Sequence, residues 1–195
     1  MFDFMALSPE FNSTQIRRGA GSKPLHDTAA GWLALWEELN RAEQGLRLQI
    51  NTLQMSFQGP ASHALAIRIT PYINWLNLNA MTALRSGQQV VKAAASYDRV
   101  CKAMVPEATI VKNRAAALTM KTTNIFGQFT TKIADLDHEY QTMWAQNAEA
   151  MMVYRNDVLA VVAATPSFTS PPSGLVGDTF PPPPSELVGD TFPPP

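Results

Sequence analysis

The densest gathering of groups able to hold a metal or move a proton is Asp135, Asp137, His138 and Glu139. Adjacent positions on a helix point in different directions, and carboxylates crowding a helix start are already accounted for by the helix dipole. The cluster reads as a solvated face. Gly19-Ala20-Gly21-Ser22-Lys23 invites a phosphate-loop reading, but its spacing departs from Gly-x4-Gly-Lys-Ser/Thr and no strand precedes it, so it reads as a loop joining two helices. His26 and His63 lie near helix starts, and no His-Glu-x-x-His pair is present. The single Cys101 falls on an apolar seam, where a thiol is a small core residue, and it permits no internal disulfide. No acid, base and nucleophile stand at the mutual spacing catalysis requires. The expectation is a protein that is not an enzyme and uses no metal and no cofactor.

The elements carrying these residues are helices. Over residues 25–104 apolar side chains recur in alternating steps of three and four: Leu25, Ala29, Trp32, Trp36, Leu39, Leu46, Ile50, Leu53 and Phe57, with Glu43 the one break. After Gly59-Pro60 the beat resumes through Ala66, Ile69, Ile73, Leu76, Ala80, Ala83, Gly87, Val90, Ala94, Tyr97, Cys101 and Met104. Gly tolerates a left-handed cap and Pro suits a helix's first turn, so Phe57-Gln58-Gly59-Pro60 predicts a stop and restart. The result is a long antiparallel helical hairpin whose second arm is roughly 65 Å long at 1.5 Å per residue. A compact domain of this length is only about 40 Å across, which predicts an elongated all-α bundle. Pro71 predicts a bend near Ile67.

A second apolar stripe lies off that seam: Leu33, Leu48 and Met55 on the first arm, Leu65, Tyr72, Trp75, Met81, Leu84 and Val91 on the second. Two facing helices need one stripe apiece, so the surplus requires cover from other helices of this chain or from another chain. Ser8-Pro9-Glu10 predicts a short helix before the hairpin, ended by Gly19-Ala20-Gly21, with Ser22 or Asp27 capping the first arm. Val105-Pro106-Glu107 opens a further helix through about residue 121, and a last one spans 131–164. The connection between them carries Ile125, Phe126 and Phe129, which either fold back onto the bundle or wait for a partner.

The 46% hydrophobic content supports a core, while a formal net charge of −1 gives no long-range pull toward nucleic acid or an acidic membrane. No apolar run approaches the ~20 residues that span a bilayer. The N-terminus lacks a basic region and a continuous apolar core, so the expectation is no general secretory signal peptide. Residues 1–164 read as the helical domain. Residues 165–195 turn to Pro, Ser, Thr and Gly, with a near-repeat over 173–184 and 185–195, and read as a disordered Pro-rich tail.

Several stretches, in order, resemble the mycobacterial PPE family over residues 1 to about 164: Ser8-Pro9-Glu10-Phe11-Asn12-Ser13, Gly59-Pro60-Ala61-Ser62, Pro71-Tyr72-Ile73-Asn74-Trp75-Leu76, Thr123-Asn124-Ile125-Phe126-Gly127-Gln128 and Tyr140-Gln141-Thr142-Met143-Trp144-Ala145-Gln146. Ser8 replaces the first Pro of the name motif. Phe57-Gln58-Gly59 stands where the family has Trp-x-Gly, keeping a ring but losing the indole N–H. The resemblance implies a heterodimer with a PE-family helical hairpin, packed on Leu33, Leu48, Met55, Leu65, Tyr72, Trp75, Leu84 and Val91. It implies export through a type VII secretion system to the cell surface or beyond, with Phe57 and Gly59 at the export-signal turn. It also implies a cytosolic chaperone gripping residues Asn124, Ile125, Phe126, Gly127, Gln128 and Phe129, which favours the waiting-partner fate of that loop. Some family members are linked to nutrient uptake at the outer envelope. In the tail, Phe180-Pro181-Pro182-Pro183-Pro184 with its acidic flanks resembles a polyproline ligand of EVH1 domains in host actin regulators.

Overall fold

Ser8 Oγ accepts the backbone N–H of Phe11 at 3.3 Å, Pro9 fills the first turn and Glu10 faces the positive end, so helix α1 (Pro9–Arg17) opens where these residue types place it. In this computed structural model, which describes residues 3–173, a one-turn 3-10 helix (Phe4–Ala6) precedes α1. Four longer helices follow: α2 (Lys23–Ser56), α3 (Pro60–Ala103), α4 (Glu107–Thr123) and α5 (Thr130–Ala163). The fold is all-α, with no strand among the described residues.

The helix boundaries differ from the sequence expectation by one or two residues. α2 begins at Lys23, and the backbone carbonyl of Ser22 accepts the N–H groups of Leu25 and His26 at 3.1 and 3.2 Å, as the carbonyl of a cap residue does. Asp27 is not the cap and instead pairs with Lys23 at 2.7 Å. α4 persists to Thr123, where the Thr122 and Thr123 hydroxyls both donate to the Thr119 carbonyl at 2.9 Å. α3 stays helical on both sides of Pro71, and next to it the Thr70 hydroxyl donates to the Ala66 carbonyl at 2.8 Å.

The chain divides into two compact units, one of Met1–Glu37 with Ala80–Ser167, the other of Glu38–Asn79 with the segment starting at Phe168. In the first, Ile16, Val100 and Met104 form a core packed by Tyr97, Cys101, Ala150, Met151 and Tyr154, which places the lone thiol half-buried in apolar surroundings. Burial raises the pKa of both Tyr97 and Tyr154. Tyr97 donates to the Ile16 carbonyl at 3.0 Å and meets Tyr154 edge-on. Asn147 ties the unit together, donating to the carbonyls of Pro9 and Val105 and accepting the Val105 N–H at 2.8 Å.

In the second unit Ile73, Leu76 and Asn79 are buried along α3. Glu43, the residue that interrupts the apolar beat, is also buried, and its carboxylate is closed by Arg47 one turn on. A charge on that seam is tolerated because it is paired.

Candidate interaction surfaces

The loop between α4 and α5 holds two large apolar side chains in solvent with an ordered backbone beneath them. Asn124, at φ −83° and ψ 53°, centres an inverse γ-turn in which the Ile125 N–H donates to the Thr123 carbonyl at 2.9 Å. Asn124 Oδ1 then accepts the Phe129 N–H at 2.8 Å, and Gln128 spans the loop, accepting from Phe126 N–H at 3.0 Å and donating to the Thr123 carbonyl at 2.9 Å. Gly127 sits at φ +79°, a conformation that suits glycine. Phe129 is half-buried, whereas Ile125 is 80% exposed and Phe126 89% exposed. Hiding each of those two from water would gain about 2 kcal/mol.

A second apolar surface lies in the first unit. Ala29 and Leu33 of α2 with Leu84, Gly87 and Val91 of α3 line an open groove of about 420 Å³. Gly87 lets the helices approach: a Cβ there would stand 3.1 Å from Cβ of Trp32. Leu33 and Val91 are exposed and Leu84 is half-buried. In the second unit Leu48, at 66% exposure, Met55, at 73%, and Leu65 face solvent, as do Phe57 and Gly59 at the turn.

Tyr72 and Trp75 differ from these residues. They are half-buried and stacked on each other, 5.2 Å between centroids, and the Trp75 indole N–H donates to the Thr169 carbonyl at 2.7 Å. Thr169 and its other partner, Asn79, were missed by sequence reasoning. Asn79 carried a signal, a polar residue beside Ala80 on an apolar series, but nothing in its type names its partner.

The Asp135–Glu139 region serves to join α4 to α5. Arg114 reaches Asp137 at 2.8 Å and the Leu136 carbonyl at 2.7 Å, and lies 4.2 Å from the Tyr140 ring centre. Hydrogen bonds from Arg114 and then Lys121 hold the Asp137 carboxyl below its ordinary pKa. Burial, with Glu10 beside it, raises that of Tyr140. Among the described residues no three His, Cys, Asp or Glu gather closely enough for a metal ion. A further groove of about 350 Å³ runs between α3 and α5, crossed by Asp157, which accepts from Ser96 at 2.6 Å and Arg99 at 2.9 Å. No helix is long and apolar enough to cross a membrane among the described residues. Phe180 and Pro181 to Pro184 lie outside the described residues.

Residues 3–166 match the PPE family. The chain is 40% identical over 172 residues to an uncharacterized PPE family protein of Mycobacterium tuberculosis, PPE36, covering 88% of this chain and 71% of that protein. It is 38% identical over 180 residues to the M. tuberculosis protein PPE45, covering 90% of this chain and 44% of the relative. It is 36% identical over 173 residues to a serine-rich antigen of Mycobacterium leprae, covering 88% of this chain and 42% of that protein. The chain therefore spans less than half the length of the last two.

Proposed function

The chain belongs to the PPE family, and on that premise we propose that it is a secreted, non-enzymatic subunit of a heterodimer with a PE-family helical hairpin, exported by a type VII secretion system. The observation carrying this reading is the apolar groove of Leu33, Leu84 and Val91, an open surface on rigid helices and lined by side chains that gain by leaving water. Leu48, Met55 and Leu65 supply further apolar area for the same kind of partner. Two amphipathic helices of a hairpin fit such a surface by the helix-in-groove mode, and interfaces of this kind usually exceed ~2,000 Å² and are largely apolar.

The Ile125-Phe126 loop serves a different partner, a cytosolic chaperone that shields it before export. Its internal hydrogen bonds pre-order the backbone, which lowers the entropy lost on binding. Phe57, exposed at the turn with Gly59, contributes to the export signal as an aromatic surface without an indole N–H. The destination is the cell surface or the surroundings.

Expression alone and together with candidate PE proteins tests the reading. Alone, the chain aggregates or binds a hydrophobic dye strongly; with its partner it co-purifies at one to one and the dye signal falls. A well-folded monomer that binds no dye and pairs with no PE protein would sink it.

A further inference from the structure

Past the end of α5 the chain makes a specific attachment to α3 at Thr169. The Thr169 carbonyl accepts the Trp75 indole N–H at 2.7 Å, and its own N–H donates to Asn79 Oδ1 at 3.2 Å. Asn79 Nδ2 reaches the Thr169 hydroxyl at 3.3 Å and the Trp75 carbonyl at 2.8 Å. Both polar groups of one peptide residue are thus engaged by side chains, as a neighbouring strand would engage them in a sheet. Asn79 is 3% exposed. Trp75 also stacks on Tyr72, which orients its indole.

The sequence gives this attachment a meaning. Phe168 opens a twelve-residue repeat: residues 168–179 and 180–191 are identical apart from Thr169 against Pro181, Ser170 against Pro182 and Gly174 against Glu186, and Phe192 begins a third copy. The clamped residue is therefore the one that the later copies replace by Pro. Proline has neither an amide N–H nor a hydroxyl. Pro181 or Pro193 at the same place would keep only the carbonyl bond and leave Asn79 Oδ1 buried without a donor, the costly half of an unmade hydrogen bond.

We infer that Trp75 and Asn79 form a peptide clamp that accepts the Phe-Thr-Ser-Pro-Pro copy of the repeat, rejects the Phe-Pro-Pro-Pro copies, and so anchors the tail to α3 by its first repeat. Clamp and ligand belong to one chain, so the inference is independent of the PE-partner reading.

The experiment follows the Trp75 indole N–H in the ¹⁵N spectrum of the full-length chain, purified with its partner if one co-purifies. The chain has four tryptophans, and Trp75→Phe identifies the resonance. In the wild type, and in Thr169→Ala, which keeps both backbone groups, this proton exchanges with water slowly. Thr169→Pro with Ser170→Pro, which turns copy one into copy two, speeds the exchange about tenfold or more, the factor carried by roughly one net hydrogen bond. Adding Pro181→Thr and Pro182→Ser to that double variant moves a clampable copy twelve residues along and slows the exchange again, because lengthening a loop by so little adds only a small closure cost. Helix content by circular dichroism stays the same throughout, since position 169 lies outside every helix. Wild-type exchange as fast as free indole, no response to the double proline change, or no recovery with the shifted copy would each overturn the clamp.

Discussion

At the scale of single residues, polar side chains buried among apolar ones decide how segments join. Asn147 is fully buried and binds three backbone groups, on Pro9 and Val105. Asn147→Ala strands those groups, and unpaired buried polar groups cost about 1–3 kcal/mol each. We expect a net loss of about 3 kcal/mol, seen as a melting point lower by roughly 10 °C. Asp137 gives a pH signature. Arg114 and Lys121 depress its pKa in the fold, so its contribution to stability is present above the unfolded carboxylate pKa and is lost as pH falls through the lower folded value. Asp137→Asn should flatten the acid limb of a melting-point profile taken between about pH 6 and pH 2, and an unchanged limb would count against the pairing. The sequence marks Asn79 and Asn147 only as polar residues within apolar helices. Which distant backbone group each one meets, the Thr169 N–H for Asn79 and the Pro9 carbonyl for Asn147, depends on chain geometry that residue type does not encode.

At the scale of elements, most of the fold is legible because its signals are local. The Ser8 cap, the Gly59-Pro60 restart and the Pro106 start of α4 each act within one turn of the residue that carries them. The second apolar stripe is only half legible. Periodicity shows which side of a helix is apolar but not what covers it, so Leu84 and Val91, which line an open groove, and Trp75, which is bonded to Thr169, look alike in the sequence. The covering segment is rich in Pro, Ser and Thr, a composition that speaks against a core and says nothing of a clamp made from backbone bonds. The groove depends on how closely α2 and α3 approach. A methyl at Gly87 would meet the Trp32 Cβ, which is fixed to its own backbone and cannot swing aside. Overpacking of that kind costs about 1–3 kcal/mol, against about 1 kcal/mol gained from helix propensity. Gly87→Ala should therefore destabilise by about 1 kcal/mol in thermal melts, whereas Gly31→Ala, with open space around it, should stabilise by about as much.

At the scale of the whole molecule, the composition and the exposed apolar side chains are what the proposed partners have to account for. A chain 46% hydrophobic and only 16% charged keeps many large apolar side chains in water. Two of the surfaces differ in kind, and that difference is testable. The groove at Leu33 and Val91 is built on long helices and suits a helical subunit that stays, while Ile125 and Phe126 stand on a short ordered loop and suit a chaperone that comes and goes. Leu33→Lys with Val91→Lys places two unpaired charges where a partner would bury them, a desolvation cost of several kcal/mol. Affinity for a co-expressed PE protein should fall at least about 100-fold, with helix content unchanged because both positions already face solvent. Ile125→Ser with Phe126→Ser should leave that pairing intact and reduce export of the pair, since only the loop loses its apolar ends. If the lysine pair bound the PE protein as tightly as the wild type, the groove would not be the subunit interface. If the serine pair abolished pairing as well as export, the division of labour between the two surfaces would be wrong.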